Sequence, residues 1–260
     1  MNPEPPLLII ASIADDLDLA HLPWSEPARA RVSVNSAKFN ELEIVEVIVD
    51  GMPFLLSRLS TAETAQKFSE QKFERLFCGA PSSNDSAIGV GPRDMLISAR
   101  HLPEVNHRLL LLGKWIGESL AASAAAWLPS GRLASFSYFE ETVAEYLAGG
   151  PFPSLFQTSF AEIEKGLFVT RGLNYFTGQE VRLTAPSGYS VSDVAKRLVR
   201  IITDIATRGK IDSPAQAQGI VDGETLNFLP SDDLAHLDIT ITNRAIKTPP
   251  ASICSQTRRQ

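Results

Sequence analysis

Cysteine is scarce in this sequence: Cys78 and Cys254 are the only two in 260 residues, far apart and in unlike surroundings. Neither a disulfide framework nor a cysteine-bound zinc is expected from such a pair. Histidine is nearly as rare. His21, His101, His107 and His236 include no pair at the spacing that sets two imidazoles on one helical turn, and Pro103 separates the nearest two. No metal site is therefore expected. Positive charge is in deficit, with 24 Lys and Arg against 30 Asp and Glu and a net charge of −6. A general grip on nucleic acid needs many cations to neutralise phosphates, so nucleic acid is not an expected partner.

Long apolar runs are missing too. No stretch approaches the roughly 18 to 20 residues of a membrane helix, and no membrane partner is expected. The apolar segment from Pro6 to Ala14 follows Glu4, with no Lys or Arg before it and Arg29 as the first basic residue after it. Without a basic leader it reads as a buried first strand, which points to a soluble protein of the reducing cytoplasm. Catalytic signatures are also lacking: there is no G-x-S-x-G elbow, P-loop or G-x-G-x-x-G. Gly89-Val90-Gly91-Pro92 comes nearest, yet Pro92 breaks the strand-to-helix setting, and the segment reads as a turn. Neither catalytic residues nor a cofactor are expected.

What is present is enough to fold. A hydrophobic content of 44% fills a real core. The pattern predicts one α+β domain over residues 1–246, with an antiparallel or mixed sheet and helices packed on one side, an arrangement that also admits two related halves. Residues 247–260 are polar, bear prolines and read as a disordered tail.

Local signals divide the chain. Asp15-Asp16-Leu17-Asp18 opens a short acidic helix that Pro23 ends. Residues 32–59 read as β, with Asp50-Gly51 as a hairpin turn and Pro53 placing the following strand at an edge or a bulge. Ser60 and Glu63 form a capping box for a helix running to about Phe77. The residues from Asp94 to Leu102 read as a core strand, and Asn106 caps a long helix from His107 to Trp127. Gly113, Gly117, Ala121 and Ala125 give that helix a narrow face suited to close approach or self-association. Phe139, Val143, Tyr146 and Leu147 mark another helix, and Ser190 caps one whose apolar side carries Val194, Leu198, Ile201 and Ile205. Lys196, Arg197, Arg200 and Arg208 then fall on its polar side, as a solvated face or a strip facing a partner.

The run from Gly166 to Leu183 is the most distinctive: glycines punctuate two strand-like segments with a bend at Gly172. Its least generic polar residues are Arg171, Asn174, Gln179 and Glu180. Arg171 and Glu180 either pair across the bend or, with Asn174 and Gln179, contribute to a binding surface. Thr170-Arg171-Gly172-Leu173, Phe176-Thr177-Gly178-Gln179-Glu180-Val181, the helix from Ser190 and Asp222-Gly223-Glu224-Thr225-Leu226 follow in an order that resembles the bacterial "domain of unknown function 4261" family. The resemblance is clearest over residues 151–246 and looser upstream. It implies a bacterial, cytoplasmic α+β protein without an agreed activity or recognised catalytic residues.

Together these readings lead to a non-enzymatic binding protein of immunity or secretion-accessory type, with a bacterial toxin or secreted protein as partner. A hydrolase or transferase with an unfamiliar site near Arg171 and Glu180 is the main alternative, and a self-associating structural protein is a third.

Overall fold

The computed structural model describes residues 4–14, 17–24, 30–39 and 42–243. The first part of the chain runs β1 (Leu7–Ala11), β2 (Val32–Phe39), β3 (Leu42–Val49), β4 (Met52–Leu59), α1 (Thr61–Glu70), β5 (Glu74–Leu76), β6 (Ser86–Pro92), α2 (Asp94–Ile97), α3 (Pro103–Ser119), β7 (Ala124–Trp127), β8 (Arg132–Ser135) and α4 (Phe136–Leu147). It continues with α5 (Ser154–Gln157), β9 (Ser159–Glu164), β10 (Leu167–Arg171), α6 (Asn174–Thr177), β11 (Glu180–Thr184), α7 (Val191–Arg208), β12 (Ala215–Gln218), β13 (Glu224–Pro230) and β14 (His236–Asn243). Two mixed sheets result. The larger has eight strands in the order β2-β3-β4-β6-β1-β7-β8-β5, and the smaller has six in the order β12-β13-β14-β11-β10-β9. Their unequal size and different connections do not repeat one another, and the fold class is α+β.

Burial explains the unbroken apolar run of β1. Leu7 and Ile9 point into the main core, whereas Leu8 and Ile10 join Ala87, Ala124, Ala126 and Leu133 on the opposite face. A strand covered on both faces has no polar positions to alternate. Helix α3 lies over the first face, and Phe68 of α1 with Phe73 closes the second. The large sheet thus carries helices on both sides, with the heavier layer on the α3 side.

Several local readings differ in the structure. The capping box at Ser60 forms as read, but α1 stops at Glu70 rather than near Phe77, and the chain turns into β5. Phe73 still reaches Phe68, with ring centroids 4.6 Å apart, so the apolar spacing is satisfied by a fold-back instead of a longer helix. Gly89 and Gly91 are not in a turn. They belong to β6 at the centre of the sheet, because Pro5 crosses above: a Cβ on Gly89 would lie 2.6 Å from Pro5 Cγ. The strand expected from Asp94 to Leu102 is replaced by the short α2 and a turn, with Met95 66% exposed.

The long helix also divides. It starts at Pro103, where a missing N–H is harmless, so its N-cap is Leu102 and Asn106, expected to be the cap, lies buried within the helix. It ends at Ser119, and Ala124–Trp127 becomes a strand between β1 and β8. Apolar runs this short do not distinguish helix from buried strand. Gly113 and Gly117 lie on the buried side of α3, where added Cβ atoms would collide with Leu7 and the Phe136 ring. This face is therefore spent inside the chain and does not mediate self-association.

At the Asp50-Gly51 hairpin both turn residues have positive φ, +49° and +83°, as a tight two-residue turn requires. Pro53 follows in β4, an interior strand rather than an edge; it sits just past the end of β6, where Arg93 N–H donates to its carbonyl at 3.1 Å. Asp15 and Asp16 lie outside the described residues, as does the tail from 247; Asp18 caps a single 3-10 turn at Leu19–His21.

Helix α7 covers one face of the small sheet. Val194, Leu198, Ile201 and Ile205 meet Val181, Leu183, Leu237 and Ile239 in a core continuous with that of the large sheet. Trp127 and Phe176 join the layers, their rings stacked at 5.9 Å. Beside them Asn106 Nδ2 donates to Gln157 Oε1 and Gln157 Nε2 donates back to Asn106 Oδ1, both at 2.8 Å and buried. Among the described residues no helix is long and apolar enough to cross a membrane.

Candidate binding surface

The glycine-punctuated bend is built as a brace. Gly172 has φ +96°, and a Cβ there would lie 2.8 Å from Ser130 Cβ and 2.9 Å from the Gln157 carbonyl. Only glycine satisfies both the backbone angle and the close approach. Glu180 then reaches back across the bend. Its carboxylate accepts from Gly172 N–H at 2.7 Å, from Leu173 and Asn174 N–H at 3.3 Å, and from Thr170 Oγ1 at 2.7 Å. Four donors converge on one carboxylate at the start of α6, which fills its ordinary acceptor capacity.

The other residues singled out by sequence diverge in role. Arg171 does not pair with Glu180. Its side chain is exposed and lies against Gly131, whose hypothetical Cβ would be 2.9 Å from Arg171 Nη1. Asn174 is exposed on α6, with its carbonyl receiving Gly178 N–H at 2.8 Å. Gln179 is fully buried and holds the chain after α7: Nε2 donates to the Ile211 carbonyl at 2.9 Å, and Ile211 N–H donates to Oε1 at 3.0 Å. The four therefore share a region without converging on one cavity.

Arg197 departs furthest from its expected place. It is 6% exposed and forms a two-point bond with Glu224, Nε to Oε1 at 2.8 Å and Nη2 to Oε2 at 2.6 Å, while its guanidinium also lies 4.6 Å from the centre of the Tyr189 ring. Hydrogen bonding to Arg197 holds the Glu224 carboxyl below its ordinary range, against the opposing effect of burial. The helical wheel reads this arginine as surface; its partner lies 27 residues away and becomes adjacent only when β13 forms.

A groove that the motifs do not announce lies between α4, α5 and α7. It encloses about 390 Å³, with Phe152 and Leu155 supplying apolar surface, Glu141 and Glu145 on the α4 wall, and Val199 and Thr203 on the α7 wall. Both glutamates are exposed, and neither has an ion-pair partner among the described residues. Neighbouring Glu140, in contrast, is matched by Lys114 at 3.3 Å. Tyr138, one turn before Glu141 and Thr142, also lines the groove and carries the ring of Phe77 at a centroid distance of 5.1 Å. Phe77 is 80% exposed and has φ +59°, an unusual combination for a large aromatic residue. Sequence offered one signal for this site: Glu141 and Glu145 stand four apart beside the apolar Pro151-Phe152-Pro153 segment.

Among the described residues no group of three or more His, Cys, Asp or Glu side chains is placed to hold a metal ion. No family model matches the chain, and searches of curated proteins and of solved structures find no match.

Proposed function

We propose that this chain is a non-enzymatic protein-binding module of immunity or secretion-accessory type, acting in the cytoplasm of a bacterium. The observation that carries this reading is the groove between α4, α5 and α7, where Glu141 and Glu145, without an ion-pair partner among the described residues, border exposed Leu155 and buried Phe152. Apolar surface beside unmatched charge is characteristic of a face that another protein covers. Exposed Phe77 adds an aromatic anchor at one end, the residue class that contributes strongly to interfaces. The bacterial setting rests on the motif order of residues 151–246 alone, since no family model matches the chain.

The test is co-expression with any toxin or secreted protein that is found to be encoded beside this gene. Protection of the cells and recovery of the two proteins together are expected. A Glu141→Lys/Glu145→Lys variant with an unchanged circular dichroism spectrum should lose both. Absence of protection at equal expression removes the immunity reading, and protection unaffected by the paired substitution removes the groove from it.

A further inference from the structure

We infer that the groove receives a basic amphipathic helix from its partner. The inference rests on the binding-module reading and adds the chemistry of the occupant. Helices α4, α5 and α7 line the groove, together with Pro151 and Pro153, which have no backbone N–H. An extended peptide entering here would find no strand edge with which to satisfy its amides and carbonyls. A helix enters with its internal hydrogen bonds already made and can bury side chains alone.

Charge selects the helix further. Glu141 and Glu145 stand one turn apart on α4, about 6 Å along its axis at 1.5 Å per residue. Lys or Arg residues three or four positions apart on an incoming helix match that interval. Its apolar side would meet Leu155 and Val199, and Phe77 supplies a projecting ring at the Tyr138 end. An acidic helix would oppose both unpaired carboxylates, so the same wall rejects it.

Selection from a displayed library of random 16-residue peptides on the full chain tests this chemistry. Recovered sequences should combine apolar positions at helical spacing with paired Lys or Arg, and synthetic copies should gain helicity on binding. Glu141→Lys/Glu145→Lys should weaken them on the order of tenfold, and replacing their paired cations with Glu should restore binding to that variant. Thr203→Trp, which fills the groove without changing charge, should weaken them too. The inference is overturned if nothing is enriched, if acidic or proline-broken sequences dominate, or if both substituted proteins bind as the original does. Loss of cellular protection in the groove variants together with enrichment of acidic peptides would reject only the occupant's chemistry. Binding of basic helices without any cellular protection would reject only the immunity reading.

Discussion

Replacing Glu224 with Gln tests the buried pair that joins α7 to β13. Arg197 and Glu224 have side-chain exposures of 7% and 0%, with two hydrogen bonds at 2.8 and 2.6 Å. Gln preserves the shape but leaves the guanidinium charge buried without its counterion. Removing one partner of such a pair costs about 3 to 5 kcal/mol. In a chain of this size that corresponds to a fall in melting temperature of roughly 6 to 20 °C. Urea unfolding of the two proteins at pH 7 measures the difference directly.

The pH dependence carries an independent sign. Bonding to Arg197 lowers the folded-state pKa of Glu224 below its unfolded value, so the carboxylate stabilises the fold above the unfolded pKa. The gap between wild type and Glu224→Gln should hold steady from neutral pH down to about pH 5. It should then narrow as the pH falls toward the folded-state pKa. Arg197→Met/Glu224→Leu, which removes both charges, should cost less than Glu224→Gln alone. A single-variant loss below about 1 kcal/mol, or a double variant as unstable as the sum of its parts, would refute the assignment of stability to this pair.

Three further changes probe the packing. Gly117→Ala pushes a methyl group into Phe136; overpacking should outweigh the gain in helix propensity and cost about 1 to 2 kcal/mol net in urea unfolding. Gln157→Leu removes both of Gln157's hydrogen bonds to the buried Asn106 amide at about 1 to 3 kcal/mol, and Asn106→Leu added to it should recover part of that loss if the pair matters through mutual satisfaction. Glu180→Ala removes the shared acceptor of Gly172, Leu173 and Asn174 N–H, so hydrogen exchange at these three amides should accelerate well beyond that at the neighbouring strand β10.

Signals contained within a few residues were legible in the sequence. Ser60 with Glu63 and Ser190 with Asp193 close their capping boxes, and the amphipathic spacing of α7 buries the residues it marks. Asp50-Gly51 turns as its composition requires. The bend at Gly172 was visible too, but its use was not, since Ser130 and the Gln157 carbonyl come from distant parts of the chain. The groove was less visible still: its walls come from α4 and α7, and only their approach makes Glu141, Leu155 and Val199 neighbours.

The sequence by itself determined the α+β class, the capping boxes at Ser60 and Ser190, the hairpin and the apolar first strand, because backbone propensity and side-chain period act over one or two turns. Tertiary structure decided the remainder. It made Gly89-Val90-Gly91 a central strand beneath Pro5, divided the expected long helix at Ser119, buried Arg197 on Glu224 and turned Glu180 onto the amides of its own bend. Except at Glu180, whose partners lie within its own bend, the deciding atom belongs to a segment that the local pattern cannot see, and its excluded volume or unsatisfied hydrogen bond outweighs the local preference.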